Sequence, residues 1–109
     1  MQFKEPTHCH LWQKGILTRD DLDFESIASE ADDSHFERSV VRCRRCGQRY
    51  LFQFYELVNW RDGNDVMTTI YVPVEKDDTE SLRTVRALDL AQSTPRLQWE
   101  GDTLTWVGR

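Results

Sequence analysis

Cys43-Arg44-Arg45-Cys46-Gly47 stands between two β-forming runs, and no other stretch of the chain limits its own local structure so tightly. Two cysteines with two residues between them suit a turn whose backbone N–H groups point at two thiolates. A glycine directly after the second cysteine supplies the positive φ that such a turn requires. Upstream, "FERSVVRC" alternates Phe36, Arg38, Val40 and Arg42 against Glu37, Ser39, Val41 and Cys43, the pattern of a strand entering the turn. Downstream, Tyr50, Leu51, Phe52, Phe54, Tyr55, Leu57 and Val58 make a run apolar on both faces, as in a central strand covered on both sides. The cysteine pair therefore belongs at a hairpin tip. A redox pair needs a helix N-terminus, whose dipole lowers a thiol pKa, and the strand-forming residues that follow argue against it.

A tetrahedral zinc site needs two further ligands. The candidates are His8, Cys9 and His10 in "HCH", and His35. His35 precedes Cys43 in an extended run and would sit roughly 26 Å from it at the rise of a strand, so it reads as a strand-start residue. In an extended segment, residues two apart point the same way, which favours His8 with His10 and a Cys₂His₂ site. Cys9 is the softer zinc ligand, and a curled loop would present it with His10 as Cys₃His. Cys43, Cys46 and His10 are thus expected ligands, and His8 and Cys9 compete for the last place. Four protein ligands suit a closed, structural site with one Zn²⁺ per chain. Neither an HExxH pattern nor the H-x-E with P-C-x-x-C of zinc deaminases occurs.

With these residues in view, the chain resembles small bacterial zinc-ribbon-like proteins that carry a C-x-H-x-W element followed by C-x-x-C-G. Cys43, Cys46 and Gly47 match the second element, and His10 and Trp12 match the first. The first cysteine position falls on His8, with Cys9 displaced by one. The resemblance covers the ligand segments and the hairpin, under half the chain. It implies a metal-stapled β fold and leaves activity open, because zinc ribbons serve many roles.

The rest of the sequence supplies elements around this tip. "GILTRDDLDFESIASEADD" carries a Thr18–Asp21 capping signal, and a thin apolar stripe of Leu22, Ile27, Ala28 and Ala31 predicts a short helix there. "RDGND" at 61–65 is turn chemistry leading into the strand "VMTTIYVPV", where Pro73 suggests a strand end or an edge. The carboxylates around that turn lack calcium-loop spacing. Residues 78–92 predict the clearest helix, capped by Asp78 or Thr79, with Leu82, Val85, Leu88 and Ala91 on its buried face and Pro95 beyond its end. "RLQWEGDTLTW" predicts a C-terminal hairpin that sets Leu97 and Trp99 against Leu104 and Trp106. The expected fold is α+β: a zinc-ribbon-like antiparallel sheet with one helix at about 78–92 and a C-terminal β-hairpin, all in a single zinc-stapled domain, 1–109.

Charge decides between functional classes. The 109 residues carry a net charge of −5, which argues against a strong nucleic-acid binder, since affinity for the phosphate backbone rests on Lys and Arg. Residues 20–37 hold eight acids and no Lys or Arg, whereas 38–49 hold five arginines and no acid. Arg42, Arg44 and Arg45 beside thiolates balance the negative charge of a thiolate-rich zinc site. They also offer a phosphate-facing tip with Tyr50 or Phe52 for stacking.

No nucleophile–base set or glycine-rich phosphate loop occurs, so a non-enzyme is expected. The leading reading is a protein–protein interaction module, in one version an immunity or antidote protein whose acidic surface blocks a basic toxin. The alternative is a zinc-ribbon nucleic-acid-binding or transcription-associated protein using Arg42, Arg44, Arg45 and Arg49. An odd cysteine count, no signal-peptide-like stretch and no long apolar span favour a cytoplasmic protein without membrane association.

Overall fold

The computed structural model describes residues 6–14, 16–32, 36–57, 66–75, 89, 92–100 and 103–108. A short helix α1 (His10–Gln13) is followed by strand β1 (Ile16–Leu17) and a 3₁₀ turn (Arg19–Asp21). The strands β2 (Phe24–Asp32), β3 (Phe36–Cys43), β4 (Arg49–Leu57), β5 (Val66–Val74), β6 (Arg96–Glu100) and β7 (Thr103–Val107) complete the described elements. All pair antiparallel in one seven-stranded sheet of order β1-β7-β6-β5-β4-β3-β2. The architecture is mostly antiparallel β with one short helix among the described residues. The helix expected at 78–92 falls on residues 76–88, 90 and 91 for the most part, outside the described residues, as does the 61–65 turn.

The hairpin expected around Cys43 and Cys46 is present. β3 and β4 pair from Phe36↔Tyr55 to Arg42↔Arg49, leaving residues 44–48 as the connection. Around Tyr50 and Leu51, β4 is apolar on both faces because both are covered there. Tyr50 belongs to a buried cluster with Cys9, Leu11, Leu17, Val41, Cys43, Leu97 and Leu104. Leu51 joins Val40, Ile70, Val72 and Val74 on the other face. Alternation along β3 and β4 thus divides the core, and the cysteines lie in the first half of it.

The sheet curls around that first half. Strands about 4.8 Å apart would place β2 and β5 roughly 14 Å apart in a flat sheet, yet Phe24 of β2 stacks on Tyr71 of β5 with ring centroids at 5.1 Å. Tyr50 and Phe52 of β4 flank this pair, with centroids 5.4 Å from Phe24 and 5.2 Å from Tyr71 respectively. The C-terminal hairpin closes the other side, with Leu97↔Trp106 and Trp99↔Leu104 as its cross-strand pairs, as the sequence implies. Pro73 lies inside β5, opposite Tyr50 of β4, and β6 pairs only Ile70 and Tyr71 of that strand. Its missing N–H is tolerated because the ladder on the β6 side has already ended.

One expectation is overturned. The stretch expected as a helix around Leu22–Ala31 is strand β2 from Phe24 onward. Two register shifts against β3, between Ser26 and Ala28 and between Ser29 and Ala31, each insert one extra residue. Such bulges break the two-residue alternation, so Ile27 and Ala28 both pack toward the Val40 cluster. The resulting spacing imitates the three- and four-residue steps of a helix. The capping signal itself is real, but Thr18 and Asp21 close the three-residue 3₁₀ turn instead of opening a helix. The "HCH" segment turns into α1 at Cys9 instead of running extended.

Candidate metal centre

Two segments far apart in sequence build the site. The first is the tight turn after β3. Cys43 N–H donates to the Gln48 carbonyl and Gly47 N–H to the Cys43 carbonyl, both at 2.8 Å. Gly47 adopts φ +82°, the conformation its position called for. Backbone amides of Arg45 and Cys46 point at the Cys43 sulfur, and that of Gln48 at the Cys46 sulfur. This cage favours thiolates, while burial opposes them more strongly: it pushes the Cys43 and Cys46 thiols above their ordinary range. Buried Gln48 ties the tip to the sheet by donating to the Val74 carbonyl at 3.0 Å.

The second segment is the start of α1. Cys9 is its N-cap residue, and Cys9 N–H donates to the Pro6 carbonyl at 2.8 Å. Leu11 is fully buried, and Trp106 of β7 donates its indole N–H to the Leu11 carbonyl at 2.8 Å while packing edge-on against Trp12. The helix is too short to stand on propensity alone. Packing against the C-terminal hairpin holds it where Cys9 faces the turn.

The three thiol sulfurs of Cys9, Cys43 and Cys46 lie within 4.8 Å of one another. Cys9 and Cys43 are fully buried, Cys46 partly so, and all three are free thiols. Zn–S bonds of about 2.3 Å set tetrahedral sulfurs about 3.8 Å apart, so small side-chain shifts would bring all three onto one ion. The donor set is soft, which suits zinc and disfavours calcium or magnesium.

Of the residues that sequence reasoning singled out, the fold brings Cys9, Cys43 and Cys46 together. His10 lies beside them, its Nδ1 3.9 Å from the Cys43 sulfur. His8 is exposed and lies outside the sulfur cluster, because the chain turns into α1 at Cys9 instead of running extended. His35 lies outside the described residues.

Tyr50 is a participant the sequence did not reveal in this role. Its hydroxyl donates to the Cys9 sulfur at 3.2 Å, and its ring is fully buried. Burial, with the neighbouring cysteines, raises its pKa so far that it stays protonated as a donor. Only the aromatic character of Tyr50 was visible beforehand.

The arginines of the turn meet the acidic tract. Arg42 pairs with Glu25, and Arg44 lies 3.7 Å from Asp23 and 3.9 Å from Glu25. Arg44 N–H also donates to the Asp23 carbonyl at 2.8 Å. Arg45 is exposed.

Comparison with family models, with curated proteins and with solved structures finds no match.

Proposed function

We propose that this is a small non-enzymatic protein whose Cys9, Cys43 and Cys46 help hold one structural Zn²⁺ and which works as a protein–protein interaction module. The carrying observation is the convergence of three free thiols, from segments more than thirty positions apart, into one largely buried cluster. Buried thiols brought together by a folded chain without a disulfide are what a metal staple needs. A small polar chain with a modest core also gains most from such a staple. Burial of Cys9 and Cys43 supports a structural role, since a catalytic zinc keeps a position open to water and substrate. The zinc-ribbon likeness rests on Cys43, Cys46 and Gly47 with His10 and Trp12, the cysteine turn lying at the tip of the β3–β4 hairpin. Reduced thiols fit the cytoplasm; among the described residues no helix is long and apolar enough to cross a membrane.

The partner class is argued from charge. Glu25 pairs with Arg42, and Asp23 and Glu25 lie near Arg44, which lowers the net positive charge of a phosphate-binding footprint at the turn. The acids that remain in a chain of net charge −5 favour a basic protein partner, of which an immunity or antidote role is one form. Nucleic-acid binding through Arg42, Arg44, Arg45 and Arg49 is the second reading, favoured by the exposure of Arg44 and Arg45 at the turn.

Oligonucleotide titration over a salt series separates the two. The protein-partner reading expects weak binding that is indifferent to Arg44→Ala with Arg45→Ala. A steep salt slope abolished by that double substitution would establish the nucleic-acid reading instead.

A further inference from the structure

Three cysteines leave a tetrahedral ion one ligand short, and the neighbourhood of His10 supplies more than proximity. His10 Nε2 lies 2.8 Å from the backbone carbonyl of Asp21. A carbonyl oxygen only accepts hydrogen bonds, so Nε2 carries a proton, and the neutral tautomer that matches this contact has its lone pair on Nδ1. Nδ1 lies 3.9 Å from the Cys43 sulfur, close to the roughly 3.5–3.8 Å between ligand atoms on one tetrahedral ion; the mutual 4.8 Å cluster holds the three sulfurs without this nitrogen, so the ring must shift toward Cys9 and Cys46 to complete the set.

The carbonyl is itself held in place. Asp21 ends the 3₁₀ turn, and its N–H donates to the Thr18 carbonyl at 3.0 Å. Its carboxylate accepts from Thr18 N–H at 2.9 Å and forms an ion pair with Lys14, the residue that ends α1. One acidic side chain thus ties the turn to the helix that carries His10.

Building on the zinc reading above, we infer that His10 is the fourth ligand through Nδ1, completing a Cys₃His site, and that Asp21 is the positioning residue that orients it. Histidine ligands characteristically donate their second ring N–H to a carbonyl or carboxylate, which fixes tautomer and ring orientation. Here a backbone carbonyl plays that part, and the carboxylate of the same residue fixes the turn. The Thr18–Asp21 capping signal is then part of the metal site. His8, exposed and outside the sulfur cluster, has no role in it.

The test is a nitrogen-15 spectrum of the imidazoles of the full-length, zinc-loaded chain. His10 should show a metal-bound Nδ1 and a Nε2–H proton slowed in exchange by the Asp21 carbonyl. In Co²⁺-loaded protein, His10→Ala should shift the ligand-field bands, and added imidazole should restore them. Affinity for Zn²⁺ should fall about 100-fold in His10→Ala and about 10-fold in Asp21→Ala, with His8→Ala unchanged. Asp21→Ala, which keeps the carbonyl but frees the turn, should also speed exchange of the Nε2–H proton while keeping the cysteine-to-cobalt charge-transfer band.

Zinc bound with His10 titrating as a free imidazole would overturn the ligand assignment alone. Unchanged affinity and an unchanged Nε2–H signal in Asp21→Ala would overturn the positioning role. A wild-type chain that takes up no zinc would overturn the metal reading itself.

Discussion

Tyr50 donates its hydroxyl hydrogen bond to the sulfur of Cys9 at 3.2 Å, joining the middle of the sheet to a residue 41 positions earlier. The contact is buried, and it reaches the one cysteine that does not belong to the turn. A thiolate on zinc keeps lone pairs that need a donor, and backbone amides of the turn point at Cys43 and Cys46. Tyr50 supplies the corresponding donor for Cys9.

Tyr50→Phe keeps the ring and removes only that donor. Stability should fall by about 1 kcal/mol, and zinc affinity by about 10-fold, with the fold intact. Denaturant melts and competition against a chelator measure the two separately. Unaltered zinc affinity would mean that the hydroxyl does not support the site.

Gly47→Ala isolates the backbone requirement of the turn. A Cβ there would meet nothing within 4 Å, so the cost arises from φ +82° alone. The loss should be about 1–2 kcal/mol, and Gly47→Asn should lose less, because asparagine tolerates this conformation better. Equal stability of the alanine variant would show that the turn adopts another shape in solution.

Tyr71 gives the protein an alkaline weakness. Burial raises its pKa, although the Trp99 indole, donating to its oxygen, pulls the other way. A tyrosine that resists ionisation when folded contributes its full share below the unfolded value near 10. That share is lost as pH rises through the higher folded value. Stability should therefore drop above about pH 10, and Tyr71→Phe should reduce the drop. Parallel pH profiles for both proteins would contradict this account of Tyr71.

The cysteine turn was legible because its chemistry is local: residue types, spacing and the glycine all lie within five positions, between two strands with readable alternation. The β6–β7 hairpin was legible for the same reason. The "HCH" segment was harder, since the choice between His8 and Cys9 depends on whether the chain runs extended or turns. That is decided at long range by Leu11 packing into the core and by Trp106 bonding to its carbonyl. Strand β2 was misread because two bulges gave Ile27, Ala28 and Ala31 a helix-like spacing. Asp21 looked like a helix cap and caps a single 3₁₀ turn, whose place beside His10 only the folded chain reveals.

The central claim is that zinc staples the N-terminal segment to the β3–β4 turn. The most direct measurement is the metal content of the purified protein, paired with melting curves before and after chelation. About one zinc per chain is expected, with a large fall in melting temperature on its removal. Cys46→Ser should lose both the zinc and most of the folded signal. Metal-free protein whose melting curve is unaffected by chelator or by Cys46→Ser would contradict it.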